Sequence, residues 1–192
     1  MAEHVCYQIV ESESRVFTFR AHLPSQSIPP LGALVQVETT EGQVIFGVVY
    51  RALVTRDDFL EQLGALNAAE VSSFFGDTNQ FNVPVELSVA SVGYRQPDGT
   101  IRQALPLRPP VFLDRVALCT QDEIVQFTRQ LDYLYLLFNA VTDDDLIVEH
   151  VKLLVQAHQD KGNDFLLTVT RKVVRQLLDN PLRADRILSY LE

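Results

Sequence analysis

The chain has no tryptophan, one methionine, two cysteines and only eight glycines in 192 residues. No GxxxxGK[ST] motif occurs, nor any Gly-Lys dipeptide, which excludes the glycine-rich loop that cradles nucleotide phosphates. GxGxxG, GxSxG, HExxH and CxxC are also missing, so there is no dinucleotide fingerprint, serine elbow, zincin helix or thiol pair. No stretch approaches the ~18 uninterrupted apolar residues of a membrane helix. Residues 1–4 lack the basic and apolar regions of an export signal. The expectation is a cytoplasmic protein with no membrane insertion. Positive charge is scarce, with 16 basic residues against 25 acidic ones and a formal net charge of −9. That balance opposes generic attraction to nucleic acid or anionic lipid, both of which favour excess Lys and Arg.

What is present divides near residue 120. The front has alternating β-rich segments and turns: 5–10, 15–20, 31–38, 43–50 and 83–92. In 15–20, Phe17 and Phe19 alternate with Val16, Thr18 and Arg20, which marks a half-buried strand. Gly42 supplies the turn of one hairpin, the 97–99 Pro-Asp-Gly turn makes another, and Gly47 inside a strand marks a bend. Residues 57–82 interrupt this rhythm and read as an insertion or lid. Beyond 119 the pattern is helical. Thr120 and Glu123 form a capping box opening a helix through Phe127, Leu131 and Phe138. Thr142 caps a second helix that ends near Gly162, a third covers 164–179, and Pro181 starts a last one over 183–191. The predicted class is α+β, a small N-terminal β-barrel (1–119) followed by a C-terminal helical bundle (120–192).

Chemistry-bearing residues are sparse, and each has a structural reading. Cys6 and Cys119 sit in apolar runs and read as buried core thiols; a disulfide fits poorly with a chain that shows no export signal. His150 and His158 lie eight apart on one predicted helix, too far to chelate one metal as a pair, and read as surface or half-buried side chains. Asp143, Asp144 and Asp145 open a helix, where carboxylates favour the macrodipole. Against the global charge, Arg171, Lys172 and Arg175 are followed by Arg183 and Arg186, a cluster read first as a solvated face. Catalytic, cofactor and metal residues are none. The candidate partner contact is Arg171, Lys172, Val173, Arg175 and Leu177, on a tail whose apolar stripes exceed what a small bundle buries alone.

Three segments in order carry a resemblance: 11–19 (ESESRVFTF), 30–37 (PLGALVQV) joined to 44–49 (VIFGVV), and 89–94 with Asp98-Gly99 and 107–112 (LRPPVF). Together with the exit at 117–123 they resemble the HAS-barrel, the HerA–ATP synthase barrel, over about residues 5–125. The resemblance implies a barrel that makes ring contacts and docks partner proteins. In that family a RecA-like motor follows the barrel; here about 70 helical residues stand in its place, so no ATPase activity carries over. The expected function is a non-catalytic stand-alone HAS-barrel adaptor, docking on a larger complex or forming a homo-oligomer. The alternatives are an accessory of a DNA-processing translocase or nuclease complex, or an enzyme using the 57–82 lid.

Overall fold

A computed structural model describes residues 6–23, 27–54, 83–112, 114–159 and 162–191. The expected lid over 57–82 lies outside the described residues. The strands are β1 (Tyr7–Ser12), β2 (Val16–Leu23), β3 (Leu34–Glu38), β4 (Val44–Val54), β5 (Val83–Arg95), β6 (Ile101–Arg102) and β7 (Arg115–Leu118). The helices are α1 (Gln121–Phe127), α2 (Leu134–Ala140), α3 (Asp144–Ala157), α4 (Gly162–Gln176) and α5 (Pro181–Ser189). The α+β class, with barrel first and helices second, is as the residue patterns predict.

Six strands close into an antiparallel barrel in the order β2, β1, β7, β3, β4, β5, with β5 pairing back to β2. That closure runs from Val16 opposite Ala90 to Leu23 opposite Val83, so no long edge is left between these strands. The short β6 extends β5 as a hairpin. The turn at Gly42 has φ +79°, and the register shifts between Phe46 and Gly47, where a bend is expected. β7 was not predicted. It is four residues long, yet it fills the gap between β1 and β3.

The barrel wall is of two kinds. On β2, Phe17, Phe19 and Ala21 point into the barrel, while Arg20 faces outward and pairs with Glu86 at 2.6 Å. On β3 and β4 both faces are buried. Val35, Val37, Ile45 and Val49 fill the interior, whereas Leu34, Phe46 and Val48 belong to a second apolar cluster shared with the helices. Double burial is the reason the 44–49 segment is apolar without interruption rather than alternating. The boundary expected at 119/120 is therefore bridged by one continuous core. Phe46 meets Phe127 of α1 at 4.5 Å between ring centroids.

Helix boundaries depart from the prediction for identifiable reasons. The helix expected over 120–138 is two helices. Its capping box forms as expected, but Thr128 turns its hydroxyl back to the Ile124 carbonyl at 2.6 Å. Gln103, just past β6, then holds the break. Its amide nitrogen donates to the Phe127 and Gln130 carbonyls, and its oxygen accepts from the Tyr133 amide at 2.9 Å. Asp143, not Thr142, caps α3 by accepting from the Asp145 amide. Gly162 opens α4 instead of ending α3, and α3 closes at His158. Asn180 caps α5, with Pro181 in its first turn.

Candidate partner interface

The 3.6-residue period divides α4 into two faces. Phe165, Val169, Val173 and Leu177 are buried in the shared core. This corrects the expected contact set: Val173 and Leu177 cannot touch a partner while α4 stays packed, because their side chains already fill the space beneath it. A charge at Val173 would report unfolding. The opposite face carries Leu167, Arg171 and Val174, and Leu178 follows in the turn after α4, two residues past Gln176, at spacings of four, three and four. All four are exposed, Leu178 by 69% and the nearby Leu182, in the first turn of α5, by 83%.

The cations of this region separate into two groups. Arg183 is held at the base of α5, donating to Asp144 at 2.6 Å and to the Val141 carbonyl, with its guanidinium over the Phe138 ring. Arg186 approaches the same Asp144 carboxylate at 3.6 Å. Asp143 caps a helix and Asp144 anchors two arginines, so both are accounted for structurally. By contrast, Arg171 and Arg175 are exposed on α4 and form no ion pair with another described residue. Lys172 is half-buried and pairs with Asp132 across a groove between α4 and the α1–α2 connection. Arg129 stands on the far wall of that groove, whose volume is about 620 Å³. Between 165 and 178 there is no acidic residue.

A second concavity, about 360 Å³, lies where the barrel meets α1 and α3. Gly32, Leu34, Leu118 and Cys119 line its barrel side, and His150 and Leu154 its helical side. His150 is completely buried, contrary to the surface or half-buried position expected, and so is His158. The reason lies in the hydrogen bonding of His150. Its Nδ1 is 2.6 Å from the Gly32 carbonyl, which can only accept, so the proton sits on Nδ1. Nε2 then accepts from the Tyr133 hydroxyl at 2.7 Å. Burial lowers the imidazole from 6.5 to about 4, against the opposing Gly32 bond, and raises the Tyr133 hydroxyl. Cys119 is half-buried; burial first, and the Glu123 carboxylate second, push its thiol well above its ordinary value. Both imidazole nitrogens are thus committed, and the thiol stays protonated at neutral pH.

Cys6 is exposed rather than a core thiol, because it precedes the first inward-facing residue of β1, Tyr7. It forms no disulfide with Cys119. Arg102, Arg108 and Arg115 are exposed on the barrel surface, and Arg95 is half-buried over Phe46. Among the described residues no group of three or more His, Cys, Asp or Glu side chains is arranged to hold a metal ion. No helix of the described structure is long and apolar enough to cross a membrane. No family model matches the chain, and no curated protein matches it.

Proposed function

We propose that this chain is a non-catalytic interaction module, a HAS-barrel adaptor that works in the cytoplasm and docks on a larger protein complex through the outer face of α4. The observation that carries the reading is the exposed row Leu167, Val174 and Leu178 beside Arg171 and Arg175, which form no ion pair with a described residue, in a chain whose net charge is −9. Exposed apolar residues aligned on one face, among polar ones, mark sites that another surface covers. The barrel assignment is supported by placement. The resembling segment 11–19 falls on the β1–β2 hairpin, and 30–37 with 44–49 fall on the paired β3 and β4. The junction cleft favours binding over chemistry, since both ring nitrogens of His150 are held in internal hydrogen bonds and burial keeps the Cys119 thiol protonated.

Capture of the full chain from its native cell extract, with nuclease treatment and mass spectrometry, tests the proposal. The expected result is one stoichiometric protein partner, retained after nuclease and released by Leu178→Asp. A nuclease or translocase as that partner would instead favour the DNA-processing accessory. Elution of the chain alone, with no partner of fixed stoichiometry, would overturn the adaptor reading.

A further inference from the structure

The outer face of α4 specifies more than the existence of a partner. We infer that it takes an amphipathic helix whose apolar seam is flanked by aspartate and glutamate; the inference rests on the adaptor reading and deepens it.

The spacing argues for a helix. Leu167, Arg171 and Val174 recur at four and three residues on α4, the repeat by which one helix presents a seam to another, and Leu178 extends the row into the turn beyond the helix. An extended strand would need an exposed sheet edge, and the helical face of α4 offers none. The seam is not wholly apolar, since Arg171 stands within it. Covering that guanidinium with an apolar helix would strand a charge, so the facing position must supply a carboxylate. Arg175 continues the same cationic edge, and Arg129 faces it across the groove. With Lys172 already paired to Asp132, the guanidinium groups of Arg171, Arg175 and Arg129, none of them ion-paired to a described residue, remain to receive acidic side chains in and beside the groove. Each offers two parallel N–H donors to a carboxylate, which fixes register as well as attraction.

Charge also separates this occupant from the rivals. A second copy of the chain placed along the same seam would bring like cations together, between two bodies that each carry −9. An anionic bilayer would attract the seam but repel the remaining acidic surface. An acidic helix satisfies the seam locally, while the rest of the protein discourages association elsewhere.

The test uses two short synthetic helical peptides with the same leucine seam, one flanked by Glu and the other by Lys. Each is labelled and titrated with the full chain by fluorescence anisotropy. The Glu peptide is expected to bind at least about tenfold more tightly at low salt, with the advantage shrinking as salt rises. The double variant Arg171→Glu with Arg175→Glu is expected to reverse the order, with an unchanged thermal melt. Leu178→Ser, a second variant, is expected to weaken both peptides. Equal binding of the two peptides, binding of neither, or a preference that survives the charge reversal would overturn the inference. So would sedimentation of the chain as a dimer, or its retention on phosphatidylserine vesicles, if either is lost on charge reversal. A native partner whose capture is indifferent to Arg171→Glu and Arg175→Glu would sink the acidic helix while leaving the adaptor standing.

Discussion

The inside of the barrel and the seam between barrel and helices are both buried and mostly apolar, but they are built differently. The interior is filled by Phe17, Phe19, Ile45, Leu87 and their neighbours, side chains whose requirement is volume and the right face of a strand. The seam has its own aromatic stack, Phe46, Phe127 and Tyr133, and also a directional element, the Tyr133–His150–Gly32 chain of hydrogen bonds. A closed barrel sets its own geometry through strand pairing. A helix laid on a sheet can slide or rotate, and apolar contact alone does not stop it. Directional bonds at the seam supply the orientation that strand pairing supplies inside.

The strongest way to probe this difference is to truncate aromatics on either side of the wall. Phe46→Ala, Phe127→Ala and Phe19→Ala should each cost about 3–5 kcal/mol in urea denaturation. The informative quantity is coupling. Phe46→Ala with Phe127→Ala should fall short of additivity because the rings touch, whereas Phe19→Ala with Phe127→Ala should add, since the two lie in separate clusters. Additivity in both pairs would mean that the seam is not a packed core.

Acid should weaken the seam through His150. At pH 7 the imidazole is neutral in folded and unfolded chains alike. As pH falls below 6.5 the unfolded chain takes up a proton that the folded chain refuses until about pH 4. Stability is therefore full above pH 6.5 and declines by about 3 kcal/mol in total as pH falls to 4. His150→Gln should be less stable at pH 7 and lack that component of the slope, as read from urea midpoints across the window. An unchanged slope would mean that other groups carry the acid response.

Smaller effects test the contact between loop and helix. Gly32 has φ +83°, and a Cβ there would sit 2.8 Å from the His150 backbone nitrogen. Gly32→Ala should cost roughly 1–3 kcal/mol, and Gly99→Ala clearly less. Gly99 shares the positive φ but has nothing within 4 Å of its Cβ direction, so the difference between the two isolates the seam. The smallest effect belongs to the outer face of α4. Arg171→Ala and Arg175→Ala should leave the unfolding free energy from urea titration within about 0.5 kcal/mol of the parent, because neither guanidinium pairs with a described residue.

Much of the barrel was legible because strand alternation and turn residues are local signals. Phe17 and Phe19 alternate visibly, and Gly42 and Gly47 mark a turn and a bend. β7 was not legible, since four residues carry too little pattern and its strand nature comes from two partners distant in sequence. The single helix expected over 120–138 failed for a similar reason. Its period continues through the break, which is made by Gln103 from another element. On α4, Arg171 and Arg175 could be found from their charge. Which apolar residues faced outward could not, because two stripes share the helix and only packing selects Val173 and Leu177 for the core. His150 read as a surface residue because nothing local announces a carbonyl 118 positions away.

The His150 chain has a sense as well as a strength. The Tyr133 hydroxyl donates a hydrogen bond to the ring, and the ring N–H donates one to the Gly32 carbonyl, so every donor points from the helices toward the barrel. The imidazole works as an indexing pin. Shifting α3 by one residue in either direction would bring Glu149 or Val151 to the Gly32 carbonyl, the first a carboxylate with no hydrogen to give and the second with no polar atom at all. The helical layer thus has one seated position on the barrel, and the outer face of α4 inherits its place from it.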